Sequence, residues 1–160
     1  MNSNEWIELF PYGVTMSADS SRPIMLFKDK DQEKVLPVSL SSLDAGITLH
    51  QNANHFSSTQ SPYSLTWRIL KPLKIFLKEC RFTHLKGAFQ YVELVFEGHP
   101  KLKTLEARAD EAVSFCLSTN CKFFCQDDYF EQCRILDARK GPESKKNWDG
   151  IVATKGTYLN

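Results

Sequence analysis

The chain has 160 residues, 42% of them apolar and 24% charged, with a formal net charge of +1. That length suits one domain with a substantial core, and the near-neutral balance excludes a chain-wide electrostatic case for a nucleic-acid partner. No apolar run approaches the roughly 18 residues that a membrane span needs.

Trp6 to Phe10 is predicted as a first strand, interrupted by Pro11-Tyr12-Gly13 and continued by Val14 to Met16. Ala18 to Pro23 is turn-rich. Ile24 to Phe27 is an apolar run of strand length, followed by a polar loop over Lys28 to Glu33. Val35 to Leu40 is the next strand, and Pro37 marks it as an edge or a strand end. These segments form an antiparallel meander.

Ser41 and Ser42 suit the cap of a helix from Leu43, with Ile47, Leu49 and Ala53 on its buried side. Gln51 to Ser61 is polar and reads as a loop. Pro62 suits the first position of a second helix, with Leu65, Ile69, Leu70, Leu73, Phe76 and Leu77 as its apolar arc. Pro72 conflicts with a regular helix and predicts a kink, or two short helices meeting at Lys71.

Arg81 to Leu85 and Ala88 to Phe96 are predicted as paired strands around Lys86-Gly87. The second is apolar on both faces, so it belongs inside a sheet with both faces covered. After a turn, Leu102 to Ala107 reads as a strand. Ala109, Ala112, Val113, Cys116 and Leu117 then fall on one stripe of a helix over Ala109 to Ser118. Asp110 and Glu111 occupy its first turn, where carboxylates suit the dipole. Lys122 to Cys125 is a short aromatic strand, and Asp127 to Leu136 a last helix. The element order is that of an α+β protein: an antiparallel or mixed sheet of about six or seven strands with two to four packed helices. It sits in one domain over residues 1–137, with a tail over 138–160.

The N-terminus lacks the basic and apolar regions of a signal peptide. The cysteine number, five, is odd and favours free thiols in a reducing cytoplasm. Their spacing does not match paired zinc motifs, so buried thiols are expected. The histidines are scattered, and His84 is expected to pack or hydrogen-bond within a strand.

The order of VLPVSLSSLDA at Val35 to Ala45, a proline-led helix at Pro62, GAFQYVEL at Gly87 to Leu94, and LEARADEAVSFCLSTNCKFFC at Leu105 to Cys125 resembles the bifunctional nuclease domain family. The resemblance covers Trp6 to Leu136. It implies an α+β fold that self-associates and cleavage of RNA and DNA. Glu106 and Glu111 stand where that family has aspartates, Arg108 matches, and Asp44 keeps an acid where glutamate is usual. Ser61, Leu65 and Thr66 replace the family's arginine, histidine and aspartate, which removes a proton carrier suited to neutral pH.

Glu106, Arg108 and Glu111 are therefore the candidate catalytic residues. Two carboxylates, with Asp44 as a third, can hold Mg²⁺ or Mn²⁺ and a water, and an arginine can clamp phosphate. The plainer alternative is that Glu111 answers the helix dipole and Arg108 pairs with a nearby acid. Arg68, Lys71, Lys74 and Lys78 would share one arc of a regular helix and could track a phosphate backbone, or be a solvated face. The expected partners are nucleic acid and a second copy of the chain, with no membrane. The alternative function is a non-catalytic regulatory or oligomerisation module.

Overall fold

A computed structural model describes residues 5–16, 22–41, 45, 63–119 and 121–139, the stretch 134–139 as backbone only. Its elements are β1 (Trp6–Met16), β2 (Pro23–Asp29), β3 (Val35–Ser39), α1 (Ser64–Leu70), β4 (Phe76–Lys86), β5 (Phe89–Glu97), β6 (Thr104–Arg108), α2 (Ala109–Leu117), β7 (Lys122–Gln126) and α3 (Asp127–Arg139). The strands form one mixed sheet in the order β3-β2-β1-β7-β4-β5-β6. Only β4 and β7 run parallel; every other neighbour is antiparallel. The α+β class and the counts of strands and helices match those expected from the sequence.

The first three strands are the expected meander. Pro11 to Gly13 does not end β1. The extra residue is absorbed as an irregularity between Pro11 and Gly13 opposite β2. Pro37 lies in edge strand β3, where its missing N–H leaves no gap inside the sheet.

The sheet curls. Gln90 of β5 donates from Nε2 to the carbonyl of Pro37 in β3 at 3.0 Å, although four strands separate β3 from β5. Helix α2 touches β3 as well as β4, β5 and β6, and α3 touches β3, β4 and β7. Both helices therefore sit in the concave side and help close it. The core fills that space: Leu9, Phe27, Val38, Phe82, Val92, Val113, Phe123 and Tyr129 are all buried. Phe27 packs on Phe82 and Phe123 at ring-centroid distances of 5.6 and 4.8 Å, and aromatic pairs at such spacing add to area burial.

Alternation along the strands sends the other set of side chains to the convex face. Trp6, Glu8, Arg81, Tyr91, Glu93, Glu106, Arg108, Lys122 and Phe124 lie there. Among the described residues no helix packs against that face beside β5. Val92, Leu94 and Phe96 of β5 are buried on the concave side, whereas Tyr91, Glu93 and Val95 are half-buried on the convex side.

The helix expected from Pro62 through Leu77 is corrected. Helix α1 ends at Leu70, and Phe76 and Leu77 begin β4. Pro72 has no N–H to continue the ladder. Leu73 and Lys74 close tight turns onto Leu70 and Lys71, and Lys74 takes a left-handed φ of 55°. The chain reverses there and enters the sheet. Of the helix expected from Leu43, only Ala45 is among the described residues, and it is buried. The loop read over Gln51 to Ser61 and the tail lie outside them, apart from the 138–139 end of α3.

Candidate functional site

Strand β6 passes into α2 without a connecting loop, Arg108 being both the last strand residue and the N-cap. The cap residue keeps extended backbone, φ −72° and ψ 142°, and the helix turns from Ala109. This arrangement follows from the sequence. Residues 104–108 fit a strand, and the stripe Ala109, Ala112, Val113 and Cys116 then turns inward, all four buried. Glu106 and Arg108 project from the convex face of β6, two residues apart. Glu111 stands exposed in the first turn of α2.

Arg108 is held by Asp110. Its Nε donates to Oδ1 at 2.9 Å, and a second bond joins Nη2 to Oδ2. This two-pronged pairing, with Glu111 contributing at longer range, raises the arginine further above its ordinary range. The guanidinium also lies over the Phe89 ring, 3.8 Å from its centroid. Asp110 and Phe89, which the sequence reading left out of the site, are thus the direct neighbours of Arg108. The signal was present in the order Arg-x-Asp at a strand–helix junction, where a first-turn acid points back to the cap.

Glu106 lies opposite Glu93 in the β5–β6 ladder. Glu93 in turn faces Arg81, with Nη1 to Oε1 at 3.8 Å, and Arg81 is bonded more closely to Glu79 at 2.7 Å. Glu106 therefore joins a charged row across the convex face. Asp44 lies outside the described residues. Among the described residues no three His, Cys, Asp or Glu side chains converge as a cation site.

The four basic residues do not share a helical arc. Arg68 lies on α1, Lys71 and Lys74 in the turn after it, and Lys78 in β4 at an irregularity between Leu77 and Glu79. The stripe required one helix through all four, and Pro72 prevents it. Arg68 and Lys71 do come together, at a cleft of about 490 Å³ walled by Trp67, Phe76, Leu77 and Ser118. The cleft is beside the Phe76–Glu97 pair, whereas Arg108 is beside Tyr91. By strand rise the two places are roughly 20 Å apart.

His84 stacks on Tyr91 at 4.9 Å and meets Thr83 Oγ1 at 3.1 Å, a packing role as expected. All five cysteines are thiols outside any disulfide, and four are buried. Cys121 is pushed up by its hydrogen bond with Cys116 and then by burial, and Cys125 by burial and then by Cys133. Protonated thiols of this kind are poor nucleophiles. No helix among the described residues is long and apolar enough to cross a membrane.

Neither a protein-family model nor a curated protein matches the chain.

Proposed function

We propose that the chain is a nuclease-like protein of the bifunctional nuclease type, cleaving RNA or DNA phosphodiesters at the β6–α2 junction. The observation that supports this most is the loop-free passage from β6 into α2, which sets Glu106, Arg108 and Glu111 at one junction. Arg108 would bind phosphate once Asp110 yields it, and Glu106 and Glu111 would orient water. A divalent cation, Mg²⁺ or Mn²⁺, would stabilise charge on the phosphoryl oxygens. Its place in this reading comes from the family resemblance, with Asp44 as the further carboxylate. A reducing cytoplasm suits the free thiols.

The second reading is a non-catalytic regulatory or oligomerisation module. The Arg108–Asp110 pair favours it, because a guanidinium already neutralised is a weaker phosphate clamp. Exposed Phe89 and Leu105 beside the sheet edge also suit contact with a second copy.

Incubation of the purified protein with labelled single- and double-stranded RNA and DNA, with Mg²⁺, Mn²⁺ or a chelator, separates the two. The nuclease reading expects cleavage that the chelator stops. Intact substrate under every condition, with a sedimentation mass of two or more chains, supports the module instead.

A further inference from the structure

The cleft beside α1 combines aromatic walls with two cationic side chains. Arg68 and Lys71 stand exposed at it, Trp67, Phe76 and Leu77 wall it, and among the described residues no acid lines it. On α1 and its C-cap Lys71 the lining residues recur at 64, 67, 68 and 71, the spacing of one helix face. Leu65 and Ile69 fall on another side.

Trp67 is fixed in place. Its ring lies on Phe115 at 4.8 Å and 14°, and its Nε1 donates to Ser118 Oγ at 3.1 Å. Ser118 Oγ in turn donates to the Phe115 carbonyl at 2.6 Å, and Thr119 Oγ1 to the Cys116 carbonyl at 2.8 Å. The hydroxyl protons of Ser118 and Thr119 are therefore committed to the end of α2. What the cleft offers an occupant is a rigid aromatic slab and two cations. A flat ring joined to an anionic group matches that offer. The volume is within the range that small ligands fill.

We infer that this cleft holds one nucleotide of a single-stranded nucleic acid, its base on the accessible part of Trp67 and its phosphate at Arg68 and Lys71. The inference rests on the nucleic-acid reading above and adds a binding place about 20 Å along the strands from the β6–α2 junction. A strand of some three or more nucleotides reaches from one to the other at roughly 6–7 Å each. A duplex cannot offer an unstacked base to the slab.

The test is binding of a fluorescein-labelled oligouridylate hexamer, followed by anisotropy, to the full chain. Arg68→Gln with Lys71→Gln changes two exposed side chains and should leave the fold intact, checked by circular dichroism. The expected result is about tenfold weaker binding or more, with the salt slope reduced by about 1.4. Adenosine 5′-monophosphate should compete at about tenfold lower concentration than ribose 5-phosphate, which lacks the ring. A duplex of equal length should bind more weakly.

Parent-like affinity in the double variant, equal competition by ribose 5-phosphate, or equal binding of the duplex overturns the inference. Better competition by laurate than by the nucleotide does the same, and makes the cleft a site for apolar carboxylates. If the hexamer is cleaved while the double variant binds and cleaves as the parent does, the cleft assignment fails and the nuclease reading stands. If the hexamer binds through Arg68 and Lys71 and nothing is cleaved, the cleft assignment stands and the nuclease reading fails.

Discussion

Arg108 closes a two-pronged pair with Asp110 across the start of α2, and its guanidinium lies over Phe89. The most promising phosphate ligand of the junction is thereby partly occupied by its own neighbour. Asp110→Asn keeps the shape and removes the charge. The variant should bind a labelled oligonucleotide about two- to tenfold more tightly at low salt, and the gain should shrink as salt rises. Binding that weakens on this change would show that Asp110 holds Arg108 in its working position.

Two glycines with positive φ should differ sharply. Gly98 has φ +90°, and a Cβ there would come within 2.0 Å of the Lys74 carbonyl oxygen. Lys74 is itself in the left-handed region, so the turn entering β4 and the turn leaving β5 fit only at close range. Gly87 has φ +63° and open space around it. Gly98→Ala should lower stability by about 2–4 kcal/mol, and Gly87→Ala by about 1 kcal/mol, measured by urea unfolding. Equal losses would mean that backbone strain alone, without the Lys74 contact, sets the cost.

The raised thiols give a pH dependence of known sign. Cys121 and Cys125 are held protonated, the first by Cys116 and burial, the second by burial and Cys133. In Cys116 the bond with Cys121 pulls downward, and Cys80 together with burial outweighs it. Below about pH 8.5 both folded and unfolded chains keep these protons, and the stabilising difference is fully present. Above that pH the unfolded chain releases them while the folded chain does not. Stability should then fall by on the order of 1 kcal/mol per pH unit per thiol. The urea midpoint at pH 7, 8.5 and 9.5 checks this. A midpoint that stays level, or a slope unchanged in Cys125→Ala, would contradict it.

Much of the fold was legible because it is local. The stripe from Ala109 to Cys116 and the short aromatic run Lys122 to Cys125 became α2 and β7 with boundaries within a residue or two. Leu65, Ile69, Leu73, Phe76 and Leu77 also fit a helical period, and that reading carried the helix too far. Pro72 was the better guide, since it acts on the backbone whatever the side chains prefer. The curl of the sheet was not legible. It depends on contacts such as Gln90 with Pro37, far apart in sequence, which no short-range period encodes.

The candidate site was legible in part. The junction bearing Glu106, Arg108 and Glu111 follows from pattern and resemblance. Asp110 was read only as an answer to the helix dipole, because sequence does not say where a carboxylate turns. Trp67 carries no charge and does not stand out among the cations of its segment. Read with Ser64, Arg68 and Lys71 at helical spacing, it marks the face that borders the cleft.

The assignment of the β6–α2 junction is tested most directly by the initial rate of cleavage of a labelled RNA, compared between the parent chain and the Glu106→Gln, Glu111→Gln double variant. Both positions are exposed, so the fold should survive. The nuclease reading predicts a parental rate that falls by about 100-fold or more in the variant. A rate unchanged by the two substitutions would contradict it.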